Sequence, residues 1–155
     1  MLNNRFNYFL IVSYASEKEV KDGGPGAKNH LSLDVFQHPS FPRNCPVVIY
    51  IHGGLWKSNS KQTERPPLLS FLALKRYVVV SINYRLAPRH TIQDQLIDVK
   101  RAIRWTKENI VTFGGDPSFI ALVGADSGAH LASLASMTIN DPDYQPVSNS
   151  NIYNI

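Results

Sequence analysis

Apolar residues in this chain fall into short unbroken runs separated by stretches with helical spacing. Val47-Val48-Ile49-Tyr50-Ile51 and Tyr77 to Ile82 are continuous and rich in β-branched residues. Runs of that kind form strands buried on both faces of a parallel sheet. Phe119 to Val123 reads the same way, as a third buried strand. Leu31, Leu33 and Val35 alternate with Ser32 and Asp34, which predicts a half-buried strand. Near the start, the run from Phe6 to Tyr14 is interrupted by Asn7 and Ser13 and has no small-residue cleavage pattern, so an initial strand is the economical reading.

Helices are predicted between the strands. From Thr91 to about Phe113, Ile92, Leu96, Val99, Ile103 and Ile110 share one stripe. Thr91 is placed to cap its start, and Gly114-Gly115-Asp116-Pro117 to stop it. A second helix is expected from about Glu64 to Arg76, with Leu68, Leu69, Leu72 and Ala73 at helical spacing and Pro66 and Pro67 at its start. A short alanine-rich one is expected from Ser127 to Ile139. Strands alternating with helices predict an α/β fold with a mostly parallel sheet.

Composition narrows this picture. With 155 residues, 43% of them hydrophobic, there is material for one core but not for two ordinary domains. The single cysteine, Cys45, has no partner for an internal disulfide and reads as a small apolar residue beside a buried strand. The net charge of +4 comes from scattered residues. The tightest basic group, Lys100, Arg101, Arg104 and Lys107, has helical spacing and is expected to form one solvated face, so nucleic acid is not an expected partner. None of the apolar runs approaches the length of a membrane-crossing helix, and the expected location is cytoplasmic, with secretion or membrane association through the N-terminal apolar run as the alternative. No Gly-rich phosphate loop and no Cys/His cluster appears, so neither cofactor nor metal is expected. His30 and His38 are isolated loop residues without an assigned role.

Two glycine-bearing turns follow buried strands, at the strand ends where open α/β sheets bind ligands. In His52-Gly53-Gly54-Leu55-Trp56, glycines allow backbone N–H groups to converge, as an oxyanion site requires; a plain strand-ending turn would look similar. Gly124-Ala125-Asp126-Ser127-Gly128-Ala129-His130 joins a strand to a helix. A residue on so sharp a turn needs tiny neighbours two positions to either side.

With these turns in view, the chain resembles the α/β-hydrolase fold-3 group, the branch related to hormone-sensitive lipase, arylformamidases and microbial acetyl and carboxyl esterases. The matching stretches are His52 to Trp56, Asn83-Tyr84-Arg85-Leu86-Ala87-Pro88, Gly115-Asp116-Pro117, the turn at 124–128 followed by His130-Leu131-Ala132, and Asn140-Asp141-Pro142-Asp143-Tyr144-Gln145-Pro146. They keep the family's order from about residue 31 to 146. By that resemblance the chain divides into an N-terminal segment at 1–30, the N-terminal half of a hydrolase domain at 31–146, and a polar tail at 147–155. The N–H groups of Gly54 and Leu55 would line the oxyanion hole, joined by that of the residue after the nucleophile. His52 would brace the loop, with Gly53 beside it, and Trp56 would pack beneath.

Two departures from the family pattern shape the functional expectation. The family reads Gly-x-Ser-x-Gly, whereas the gap-free register here, Gly124-Ala125-Asp126-Ser127-Gly128, puts aspartate at the nucleophile position. Sliding by one would centre Ser127 between two alanines but moves His130-Leu131-Ala132 out of frame, so Asp126 is favoured, with Ser127 as alternative nucleophile or oxyanion N–H donor. The family's triad acid and histidine belong to a C-terminal half. His130, four residues after Asp126, is one helical turn above the elbow and cannot easily reach back, and Asp141 and Asp143 suit a structural turn. The expectation is therefore a partial α/β-hydrolase fold without the C-terminal strands and helices. The sheet edge beyond Phe119–Val123 is expected to be open to a second copy or a complementing chain. The resemblance implies a carboxylic-ester hydrolase acting on small acyl esters or amides, inactive in this form. The alternatives are a non-catalytic relative that holds an ester-like ligand, or a truncated gene product that needs a partner chain.

Overall fold

The computed structural model describes residues 7–14, 31–38, 40, 42–64 and 66–146; residues 1–6, residues 15–30 with His30 among them, and the tail expected at 147–155 lie outside them. Among the described residues one sheet contains β1 (Asn7–Ser13), β2 (Ser32–Gln37), β3 (Cys45–Ile51), β4 (Val78–Ile82) and β5 (Gly115–Gly124), in the order β1-β2-β4-β3-β5. β1 and β2 are antiparallel to their neighbours, while β4, β3 and β5 run parallel. The connections are α1 (Pro67–Leu74) between β3 and β4 and α2 (Ile92–Asn109) between β4 and β5, with α3 (Ser127–Met137) after β5.

Strand periodicity explains the two cores. Val47, Ile49 and Ile51 of β3 and Val78, Val80 and Ile82 of β4 face one side, where Leu96, Val99, Ala102 and Ile103 of α2 and Leu131, Ala132 and Ala135 of α3 cover them. Tyr50 and Val79 face the other side and pack with Phe36 of β2 and with Leu69 and Ala73 of α1. Two helices on one face and one on the other give the layered α/β arrangement the pattern predicts.

The start of α2 has the predicted cap. Thr91 Oγ1 accepts from the Asp94 N–H at 3.1 Å, and the Asp94 carboxylate accepts from the Thr91 N–H at 2.8 Å, closing a reciprocal box. The α-helix ends at Asn109, a turn earlier than the spacing suggests. A 3₁₀ turn, Ile110–Phe113, carries the chain to Gly114 in the left-handed conformation at φ 78°. α1 is also shorter than predicted, because it starts at Pro67 and stops at Leu74.

Three expectations need correction. β2 is buried on both faces, not one: Ser32 and Asp34 are as inaccessible as Leu33 and Val35, because α1 and the segment carrying Lys61 cover its second side. The basic residues of α2 do not share one solvated face. Lys100 is buried, and its ammonium donates to the carbonyl of Thr138 just past α3, while Arg101 turns to Asp98 at 3.3 Å. β5 is longer than Phe119–Val123 and is not a buried strand. Among the described residues it pairs only with β3, and Phe119 is 58% exposed on that edge. Cys45 is buried at the start of β3, and burial pushes its thiol pKa up. Among the described residues no helix is long and apolar enough to cross a membrane.

Candidate active site

Sheet register brings the two glycine-bearing turns together. β3 and β5 are adjacent and parallel, and their last residues, Ile51 and Gly124, are partners. The turn after one strand therefore lies beside the turn after the other. Ala125 N–H donates to the Ile51 carbonyl at 3.3 Å and keeps the two chains in contact past the strand ends.

The second turn is tight enough to strain its central residue. Asp126 has φ 48° and ψ −119°, and Ser127 already begins α3. A non-glycine residue with that backbone is held by its surroundings at a cost of about 1–3 kcal/mol. Gly124 and Gly128 make the turn possible: a Cβ on Gly124 would lie 2.3 Å from the carbonyl carbon of Gly128, and one on Gly128 would lie 2.0 Å from the Ile51 oxygen. The Asp126 side chain is thereby left exposed at the turn, whereas Ser127 is buried with its Oγ 3.4 Å from the Tyr84 hydroxyl.

The first turn faces that side chain. Gly54, Leu55 and Trp56 have φ of 119°, 53° and 62° in succession, curling the chain so that consecutive N–H groups point one way. Gly54 N–H donates to Asp126 Oδ2 at 3.1 Å and Leu55 N–H to the same oxygen at 2.9 Å. These donors, Leu55 first, together with the N–H of Ser127, hold the Asp126 carboxyl below the usual carboxylate range.

Comparison with known proteins identifies the family. The BD-FAE family model matches residues 33–153. The chain belongs to the BD-FAE family. That family lies in the fold-3 esterase group of α/β hydrolases, so the resemblance read from the motifs is correct. Two relatives come from Mycobacterium tuberculosis. LipM, named a probable carboxylic ester hydrolase, is 44% identical over 88% of this chain and 32% of its own length; the esterase LipQ is 43% identical over 86% of this chain and 32% of its own. A solved bifunctional GH43-CE protein of Bacteroides eggerthii superposes with a TM-score of 0.74 at 32% identity, over 86% of this chain and 18% of that one. The chain thus spans about a third of the length of the curated relatives it matches.

Around the BD-FAE turns, side chains hold both polar atoms of the His52–Gly53 peptide and the carbonyl that follows it. The His52 carbonyl accepts from the Tyr84 hydroxyl at 2.9 Å, and the Gly53 carbonyl lies 2.7 Å from His52 Nδ1, which donates to it. The Gly53 N–H donates to Glu64 Oε2 at 2.9 Å. His52 also stacks on Tyr84, with ring centroids 4.4 Å apart and planes 14° apart, and burial pushes its pKa down, so the ring is neutral. His52 does not reach Asp126 by any hydrogen bond described; its contacts are with the loop itself.

Trp56 packs edge-on against His130, centroids 5.4 Å apart, with its Nε1 3.4 Å from His130 Nδ1. The Trp56 carbonyl is tied by Ala87 N–H at 2.8 Å and Gln95 Nε2 at 3.0 Å. Arg85, next to Tyr84, grips the buried Asp98 with Nε and Nη2, each at 2.7 Å, and so fastens the 83–88 segment to α2. Asp141 accepts from the Asp143 N–H at 3.1 Å and caps the 3₁₀ turn Pro142–Tyr144, a structural place for both residues. Glu64, Tyr84 and Gln95 were not singled out by sequence reasoning. Tyr84 lies inside a motif, but its role depends on a partner 32 residues away, and Glu64 belongs to no motif at all.

The strain at Asp126 gives a test of where the turn is centred. Asp126→Gly and Asp126→Ala both remove the carboxylate, yet the glycine variant is expected to be more stable than the alanine variant by about 1–2 kcal/mol. At Ser127, a helical position, the usual order with alanine above glycine is expected. Urea denaturation of the four variants reads both differences, and the usual order at 126 would mean that the turn is centred elsewhere.

Proposed function

We propose that this BD-FAE chain carries an aspartate at the nucleophile position of an ester hydrolase, that the Asp126 carboxylate fills the oxyanion hole, and that the chain holds a small ester-like ligand without hydrolysing it. One observation carries the reading: a single carboxylate oxygen takes both the Gly54 and the Leu55 N–H. Those donors would otherwise stabilise the oxygen of a tetrahedral intermediate. The same donors, Leu55 first, hold the Asp126 carboxyl below the usual carboxylate range, which favours its ionised form. Attack by that carboxylate on an ester carbonyl would give an acyl anhydride, a poor route to turnover. A carboxylate at the mouth of the site repels anions, so the ligand class is neutral or cationic. The reading places the protein in the cytoplasm and gives the exposed β5 edge to a further strand, from a second copy or a partner chain.

The test is hydrolysis of a short-chain p-nitrophenyl ester by residues 1–155. The expected rate is that of buffer, unchanged in Ser127→Ala and Asp126→Asn. Saturable hydrolysis lost in Ser127→Ala would make the serine the nucleophile, and loss in Asp126→Asn would make the aspartate one; either result overturns the proposal. Concentration-dependent thermal stabilisation by a neutral ester without turnover supports it.

A further inference from the structure

We infer that Glu64 is a positioning residue for the Gly54 and Leu55 donors, acting through the peptide that precedes them. The inference rests on the reading that these two N–H groups form the oxyanion hole. Glu64 precedes α1 and reaches back across the loop that begins at His52. Its Oε1 accepts from the Tyr50 hydroxyl at 2.6 Å, which anchors it to β3. Its Oε2 accepts from Gly53 N–H at 2.9 Å and from Asn59 Nδ2 at 3.2 Å, so one carboxylate joins the strand, the turn and the far side of the loop.

Geometry makes Gly53 the controlling position. The His52 carbonyl is fixed by Tyr84 and the Gly53 carbonyl by the His52 ring, so the Gly53 N–H is the remaining polar group of that link. With it tied to Glu64, both sides of the Gly53 residue are set. The next two N–H groups are then presented to Asp126 in one direction. Beyond Gly53 the curl is closed by its own bonds, with the Gly54 carbonyl accepting from the Lys57 and Ser58 N–H groups and from the Ser58 hydroxyl, each at 3.0 Å; Glu64 instead fixes the peptide by which that curl leaves β3, and so its direction.

Charge and positioning predict opposite outcomes. As a nearby negative charge, Glu64 would raise the Asp126 pKa, so removing it would lower that value further. As a positioning residue, Glu64 secures the donors that lower it, so removing it raises the Asp126 pKa toward the ordinary carboxylate value. Glu64→Gln separates the two effects. Its amide oxygen still accepts from Gly53 and Asn59, and its NH₂ donates to the Tyr50 oxygen, so the loop is kept while the charge is gone.

The experiment is carboxylate-detected NMR titration of Asp126, with amide hydrogen exchange at Gly54 and Leu55. In Glu64→Ala the Asp126 pKa is expected to move up and both amides to exchange several-fold faster, while Glu64→Gln leaves the amides protected. Glu64→Asp keeps the charge but withdraws the oxygen from Gly53, and it is expected to follow the alanine variant; it also serves if Glu64→Ala fails to fold. Leu69→Ala, a core truncation in α1, is expected to lower the melting temperature without moving Asp126. A fall in the Asp126 pKa in both uncharged variants would assign Glu64 a charge effect alone. An unmoved Asp126 with unchanged exchange would make it merely structural. Both outcomes overturn the inference, and neither depends on whether an ester is hydrolysed.

Discussion

Replacing Gly128 with alanine is expected to destabilise the chain by at least about 3 kcal/mol, enough to unfold a large fraction of it. The sign runs against local propensity. Gly128 is the second residue of α3, where alanine would ordinarily be the better helix former by about 1 kcal/mol. Tertiary packing reverses that preference. A Cβ at 128 would lie 2.0 Å from the Ile51 oxygen and 2.5 Å from the His52 oxygen, both backbone atoms at the end of β3 that no rotamer change can move aside. The close approach also shapes the candidate site. It lets α3 start directly against β3, which places Asp126 within reach of the Gly54 and Leu55 N–H groups. Relaxing the clash would move α3 outward and separate carboxylate from donors. Urea denaturation followed by circular dichroism gives the stability change. Ser133→Ala, exposed on the same helix, is the control and is expected to change stability by less than about 0.5 kcal/mol. A Gly128→Ala variant as stable as the control would mean that the packing of α3 on β3 is looser than described.

Gly128 also shows why parts of this fold could be read from sequence. Short-range chemistry speaks plainly. Thr91 with Asp94, Gly114 after Phe113, and the β-branched runs of β3 and β4 each act within a few residues, and each forms the element its pattern predicts. The turn glycines were legible for the same reason, since the spacing from Gly124 to Gly128 is itself the steric requirement. Exposure was harder to read, because it depends on what another element does. Alternation in β2 implied one wet face, but α1 and Lys61 close over it; the basic spacing on α2 implied solvent, but the residue after α3 takes up Lys100. At the site, the turns announced themselves, while the groups that hold them did not. Glu64 meets Gly53 across 11 residues and Tyr84 meets His52 across 32, contacts that no local period records. Asp126 falls between the two cases. Its place on the turn follows from the glycines, but the capture of both N–H donors by one carboxylate oxygen emerges only once β3 and β5 are in register.

Lys61→Met is expected to cost about 3–5 kcal/mol, and Lys61→Met combined with Asp34→Leu much less than the sum of the two single changes. Lys61 and Asp34 form an ion pair in which both side chains are fully inaccessible. Methionine fills a similar volume, so the single change does not act through a cavity. It acts by leaving a carboxylate in the interior with that counter-charge removed. Removing both charges takes away the desolvation penalty along with the attraction, and buried pairs replaced by apolar residues of similar size often cost little. The pair has a place in the argument about the site. Asp34 lies on β2, across the sheet from the turns, whereas Lys61 lies in the loop that runs from Gly54 to Glu64; the Lys61 N–H also donates to Asn83 Oδ1 at 2.7 Å, next to Tyr84. The far part of the loop is thus pinned to the centre of the sheet by a contact that tolerates only one register. If that pinning serves geometry more than stability, the double variant should fold with near-native stability yet show faster amide exchange at Gly54 and Leu55 than Ser133→Ala does. Equal exchange in the two proteins would confine the ion pair to the core and leave the donors to Glu64 and Tyr84 alone.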